Sequence, residues 1–351
     1  MESMRALIYA DLQATDGHER LFSDPTQSLQ IWRVRRTYQV MLDVYKEYGC
    51  DALWDLGDTT DDRTAIPVPA IDAVCDGLEK FPRSEFDIKL VGNHEQYLRN
   101  AKVHVGRMFN PYFRVVDQPV SFMVSDRVQV VCAPYPANGN ELAAWLENER
   151  IESRNMKNIL LGHFQISGCW GASGQILEGL LLEKLGWFDL GLLGHIHRPQ
   201  QLGNCHYVGS PFQQDWGEAG EEKRFGIVDI SDDGRIGLQW VPITGFPEYR
   251  EVSMAEFNAC SMESEDRLRV ILKSPEEAAT FYAHKFSHRA EPQYDFDVSA
   301  VSGAGQSSSS VEAWTPESIM RRYIDRNPPG DRGIPVPTDE MLQFGMEIYS
   351  S

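Results

Sequence analysis

The sequence predicts an α/β protein: a large β-sandwich flanked by helices, then a small α/β cap domain and a C-terminal helical tail. Three observations predict it. Short apolar runs recur at residues 5–10, 52–56, 87–91, 158–161 and 190–193, each ending in a polar or glycine-rich turn, which is how buried strands read. Helical candidates alternate with them, as a layered α/β domain requires. Polar, chemistry-bearing residues follow each run immediately, where loops at strand ends gather ligands.

The elements follow in order. The first helix is expected over 27–48, with Ile31, Val34, Tyr38, Met41, Leu42 and Tyr45 on one stripe, and a second over 69–81. Further strands are expected at 113–116, 120–124 and 128–133, and again at 206–208, 225–230 and 236–241, closing a first domain over 1–242. A smaller unit over 243–300 reads as strands near 249–253, 267–272 and 294–300 with a helix beginning near Pro275. The segment SGAGQSSSS within 301–312 is a flexible Gly/Ser linker. Residues 313–351 form a partner-binding tail, with amphipathic helices at 316–325 and 338–349 around the breaker run 327–337. There is no internal repeat.

Composition narrows the function classes. The 351 residues suffice for about two domains and a sizeable core. Thirty-three Lys and Arg against 52 Asp and Glu give a net charge of −19, which argues against coating nucleic acid by bulk charge and leaves room for a local basic groove. No signal-peptide core opens the chain and no run approaches the roughly 20 apolar residues of a membrane helix, so a cytoplasmic protein with no membrane association is expected. Six scattered cysteines without a CxxC pair read as reduced core thiols.

Five strand-end loops carry metal-ligand residue types: Asp11-Leu12-Gln13, Gly57-Asp58-Thr59-Thr60-Asp61, Gly92-Asn93-His94-Glu95, Gly162-His163 and Gly194-His195-Ile196-His197. Carboxylate, amide and imidazole together suit borderline divalent ions such as Mn²⁺, Fe²⁺ or Zn²⁺, and the lack of cysteine argues against a structural zinc site. Singly, each residue has an ordinary reading: Asp11 a helix cap, Asn93 a turn, His163 a hydrogen-bonded core histidine. His195 and His197, two apart in an extended segment, are expected to point to one side. Asp61 and Asp62 either orient ligands or are solvated. Arg63 and Arg198 either meet substrate phosphate or form surface ion pairs, and Arg33, Arg35 and Arg36 read as a solvated helix face.

In this order and spacing the loops resemble the calcineurin-like metallophosphoesterases, whose pattern is D-x-H, GD-x-x-D, GNH-E/D, GH and GH-x-H. The match runs from Asp11 to His197 and departs at Gln13, where the family has histidine. Downstream, Tyr207-Val208-Gly209-Ser210-Pro211 and the stretch Gly217 to Gly226 are similar to the segment after GH-x-H in SbcD-type DNA repair nucleases. The resemblance implies a metallophosphoesterase sandwich holding two divalent ions, Mn²⁺ by expectation. One ion would be held by Asp11, Asp58 and His197 with Gln13 in the fourth position, and the other by Asp58, Asn93, His163 and His195. His94 would donate a proton to the leaving oxygen, or else support the site from outside the ligand set. His18, five residues beyond Gln13, is an alternative ligand.

The function implied is two-metal DNA phosphodiester hydrolysis by a metal-bridging hydroxide, in a repair or recombination nuclease subunit working with an SbcC-type coiled-coil ATPase on DNA; a homodimer is left open. The alternatives are a phosphomonoesterase, a cyclic-nucleotide phosphodiesterase, or a non-catalytic scaffold with a weakened metal site. Protein phosphatases carry Asp-Arg-Gly where Asp61-Asp62-Arg63-Thr64 stands, which argues against that class.

Overall fold

The computed structural model describes residues 3–98, 103–152, 156–171, 174–260, 264–284 and 293–296. The chain divides into two compact units, Met1–Phe246 and Pro247–Ser351.

In the first unit the strands are β1 (Met4–Tyr9), β2 (Ala52–Asp55), β3 (Ile88–Leu90), β4 (Arg114–Val116), β5 (Val120–Met123), β6 (Val128–Ala133), β7 (Lys157–His163), β8 (Leu190–Gly194), β9 (Gln200–Leu202), β10 (Cys205–Tyr207), β11 (Arg224–Ile230) and β12 (Ile236–Pro242). The helices are α1 (Leu29–Glu47), α2 (Val68–Leu78) and α3 (Gly139–Glu152). The strands form two mixed six-stranded sheets, ordered β12-β11-β1-β2-β3-β4 and β5-β6-β7-β8-β10-β9.

Strand alternation distributes the side chains between layers. From β1, Ala6 and Ile8 enter the layer between the sheets with Trp54, Ile88, Val130, Ile159, Leu161 and Leu192, whereas Leu7 and Tyr9 turn to the opposite face against Val34, Tyr38 and Met41 of α1 and Val74 of α2. On the outer face of the second sheet, Val131 and Leu160 meet Leu142 and Leu146 of α3. The protein is therefore a sandwich with helices on both outer faces, the predicted α/β class.

The predicted stripe of α1 is buried in full, and Ser28 caps the helix by accepting the Ile31 N–H at 3.3 Å. Arg33 corrects the expectation of a solvated basic face: it is only 1% exposed, with its guanidinium 5.3 Å from the centre of the Phe212 ring and an N–H donated to Gln30. The planar cation covers an aromatic face that bulk water would otherwise meet. Arg35 is exposed and pairs with Asp72. Four of the six cysteines are buried and all six are free.

The second unit carries a three-stranded parallel sheet of β13 (Tyr249–Ser253), β14 (Arg267–Leu272) and β15 (Gln293–Phe296) with α4 (Met254–Ala259) and α5 (Pro275–His284). Ser253 and Glu256 form a reciprocal capping box at the start of α4. The remainder of the expected strand at 294–300, the linker 301–312 and the tail 313–351 lie outside the described residues. Among the described residues no helix is long and apolar enough to cross a membrane.

Candidate metal centre

Parallel pairing of β1, β2 and β3 gathers their carboxyl ends on one edge of the first sheet, and parallel pairing of β6, β7 and β8 does the same in the second. The five loops leave from those ends. Asp11 and Gln13 follow β1, Asp58 follows β2, and Asn93 and His94 follow β3; His163 closes β7, and His195 and His197 follow β8. Every expected oxygen ligand thus comes from the first sheet and every expected imidazole ligand from the second.

The local backbone is bent to serve this convergence. Among the described residues, the non-glycine positions of positive φ are Asp11 (53°), Gln13 (47°), Asp58 (54°) and His195 (82°), all four of them expected ligands. Such conformations cost about 1–3 kcal/mol each and persist only where their surroundings over-determine them. His195 also corrects the reading of the His-x-His pair. Left-handed backbone breaks the alternation of an extended segment, and the two rings go to different partners, His195 to Asn93 and His197 to Gln13 and Glu218. Gly92 is fixed by close approach, because a Cβ there would lie 2.0 Å from Asp58 Oδ1.

The donor atoms converge with their outer sides already engaged. His163 places Nδ1 2.7 Å from the Leu56 carbonyl, so that nitrogen carries the proton and Nε2 turns inward, 3.1 Å from Asp58 Oδ2 and 3.2 Å from Asn93 Oδ1. His195 Nδ1 lies 2.6 Å from the same Asn93 oxygen, and its Nε2 is 3.2 Å from Gln165 Oε1. His197 donates from Nδ1 to Glu218 at 2.8 Å and turns Nε2 toward the Gln13 amide at 2.9 Å. A half-turn of that amide presents its carbonyl oxygen at the same point. Asp11, fully buried, accepts the His195 N–H at 2.9 Å. Single donor atoms of Asp58, His163 and His195 lie within 4.8 Å of one another. His18 is exposed.

Such an arrangement requires a cation. With Nδ1–H committed to Leu56, the lone pair of His163 faces two further acceptors, and only a proton or a metal ion relieves their repulsion. Titration reflects this. Burial opposes charging of His163, yet Asp58 outweighs it and raises the ring to about 9; burial likewise pushes Asp58 up, but His163 and His94 hold it at about 2. Asp11, with burial dominant, is raised to about 6, and burial beside His163 depresses His195 to about 3. The donor set, three imidazoles with two carboxylates and two amides, fits borderline divalent ions.

His94 sits at the rim, a third exposed, with its N–H on Asp58 Oδ1 at 2.8 Å and its ring Nδ1 against the carbonyl and carboxylate of Asp61 at 2.7 and 3.1 Å. The Asp61 hydrogen bond raises its pKa to about 9. Asp62 instead makes an exposed turn with Thr64 and Ala65. Arg63 and Arg198 line different clefts: Arg63 one of about 450 Å³ with Tyr97 and His104, Arg198 one of about 640 Å³ with Arg224 and Trp240, its Nε 3.8 Å from Glu221.

Sequence reasoning missed the layer behind the ligands. Lys89, Asp55 and Glu95 form a buried cluster under the first-sheet loops, and Glu218 and Lys223 stand behind His197. Tyr135 and Gln165 approach His195. The available signal was a charge inside an apolar strand run, as at Asp55 in Ala-Leu-Trp-Asp and Lys89 in Ile-Lys-Leu, since a buried charge demands a partner.

The class defined by this fold and these loops is the calcineurin-like metallophosphoesterase, which the chain resembles. Within it, the chain is similar to the SbcD component of the SbcCD nuclease from Staphylococcus epidermidis, 21% identical over 243 residues, a match covering 65% of this chain and 61% of that protein. It is also similar to exonuclease subunit 1 of Enterobacteria phage T4, 21% identical over 321 residues, covering 87% of this chain and 88% of that protein. Similar solved structures include a dimetal phosphatase from Danio rerio (12% identity, TM-score 0.46, 69% of this chain and 98% of that one) and a calcineurin-like phosphoesterase from Bacillus subtilis (14%, 0.38, 70% and 93%). No protein-family model matches the chain.

Proposed function

We propose that this chain, a metal-dependent phosphoesterase, is a two-metal DNA nuclease, the hydrolytic subunit of a cytoplasmic complex with an SbcC-type coiled-coil ATPase. The observation that carries the reading is the convergence of Asp11, Gln13, Asp58, Asn93, His163, His195 and His197 from five strand ends, with outer hydrogen bonds that turn lone pairs inward. The sequence similarity to two nuclease subunits supports DNA as substrate.

Asp11, Gln13, Asp58 and His197 would hold one ion, and Asp58, Asn93, His163 and His195 the other. Divalent ions there, Mn²⁺ in this proposal, supply an acidified water as nucleophile and positive charge against the phosphoryl oxygens. The chain's own residues do the rest. Asp61 fixes the His94 ring by Nδ1 and favours its protonated form, so Nε2–H is free to protonate the leaving oxygen. Arg63 and Arg198 meet backbone phosphates from their separate clefts. A chain of net charge −19 leaves most of the grip on duplex DNA to its partner.

The test is metal content after purification, then Mn²⁺-dependent hydrolysis of labelled linear DNA beside bis-p-nitrophenyl phosphate and p-nitrophenyl phosphate. Cleavage of DNA and diester is expected. Hydrolysis of the monoester alone points to a phosphomonoesterase, and tight metal without turnover to a scaffold.

A further inference from the structure

Two buried lysines stand behind the ligand loops, and the proposed chemistry uses neither. Lys89, with no exposed side chain, reaches Asp55 at 3.1 Å and Glu95 at 2.8 Å. Those carboxylates hold the backbone on both sides of Asp58: Asp55 accepts the Gly57 N–H at 2.9 Å and Glu95 the Thr59 N–H at 3.1 Å. Glu95 also accepts the Gly92 N–H at 3.0 Å, immediately before Asn93. One ammonium therefore ties the bridging-carboxylate loop to the asparagine loop.

Lys223 does the same across the centre. Its Nζ reaches Glu218 at 2.7 Å and Glu221 at 2.9 Å, and it donates to the His197 carbonyl at 3.1 Å. Glu218 in turn takes the His197 Nδ1 proton, so both the ring and the backbone of that histidine are held. These hydrogen-bond sets share no residue with the Lys89 set. Each cluster pairs two carboxylates with one ammonium, leaving one net negative charge behind each half of a cation site. Without its lysine, each would be two buried like charges driving its loops apart.

We propose that Lys89 and Lys223 are positioning residues, each the anchor of one half of the centre, so that the two ions' affinities are set largely by separate clusters. The inference rests on the two-ion reading above. It predicts which ion each substitution loosens: Lys223 serves the ion of His197, and Lys89 foremost the ion of Asn93.

The experiment is a calorimetric Mn²⁺ titration of the full chain, with Asn93→Ala and His197→Ala assigning the binding steps and the thermal midpoint after chelator treatment reporting the fold. Lys223→Met and Glu218→Gln should weaken the His197-side ion about 10- to 100-fold and move the other less than about threefold, with Lys89→Met and Glu95→Gln doing the reverse. The glutamine variants keep side-chain volume and carry the test if the methionine variants fail to fold. Equal weakening of both ions in step with the thermal midpoint, or no change in either, overturns the proposal. Failure of the natural chain to bind Mn²⁺ overturns the two-ion reading itself, a distinct result.

Discussion

Asp58 has both carboxylate oxygens engaged inside the centre, one on the His94 N–H and one facing His163. Asp58→Ala is therefore expected to abolish binding of both ions and all hydrolysis, read by metal content and diester turnover. His94 touches the centre only through its backbone and turns its ring to Asp61, so His94→Ala should retain metal while kcat falls by about 10²–10⁴. Loss of metal before rate in that variant would make His94 structural. Gln13 contributes an amide where an imidazole would donate more strongly to Mn²⁺. Gln13→His should tighten the His197-side ion and raise activity at limiting Mn²⁺, with little change at saturation; an unmoved Mn²⁺ dependence would refute the weakened-site idea. The ligands were legible in the sequence because each is a polar residue directly after an apolar run. Glu218 was not, because its partner His197 lies 21 residues away and only the fold joins them.

At the scale of elements, the loops are short and closely apposed, and Gly92 is where two of them touch. Gly92→Ala would place a methyl group on Asp58 Oδ1, so the GNH and GD loops must separate. We expect a folded protein, by circular dichroism, with its Mn²⁺ affinity lowered at least about tenfold; native affinity would show that the loops yield freely. The strands and α1 were legible from periodicity, and β13 and β14 fall at the predicted residues. The helix α3 was not, since Gly139–Glu152 mixes Leu142, Trp145 and Leu146 with charges on no continuous stripe, and burial against Leu160 and Val131 decides its place. Arg33 escaped for a related reason: a charge on a helix reads as solvated until an aromatic partner from a distant segment covers it.

For the whole molecule, the acidic balance and the segment 313–351 point to a shared task. A chain of net charge −19 that handles DNA requires cationic surface from elsewhere, and the amphipathic segments 316–325 and 338–349 suit a helix-in-groove contact. Truncation after Ala300 should spare Mn²⁺-dependent hydrolysis of a small diester yet abolish co-purification with the ATPase. An intact complex would locate the contact elsewhere.

The division of labour between the sheets, oxygens from one and imidazoles from the other, makes the centre a gauge of how the two sheets are aligned. Any shear between the layers changes every oxygen-to-nitrogen distance at once, while distances within each donor class stay fixed. A void in the layer between the sheets should thus register as impaired Mn²⁺ capture well before it registers as unfolding. Leu161, fully buried there two residues before His163, is the natural place to look. Leu161→Ala should cost about 2–5 kcal/mol in denaturant unfolding of the chelated protein, and at temperatures where the chain remains folded its Mn²⁺ titration should already be shifted to weaker binding. A full stability loss with untouched Mn²⁺ binding would mean that the seam is stiff enough to hide the layers from the ions it joins.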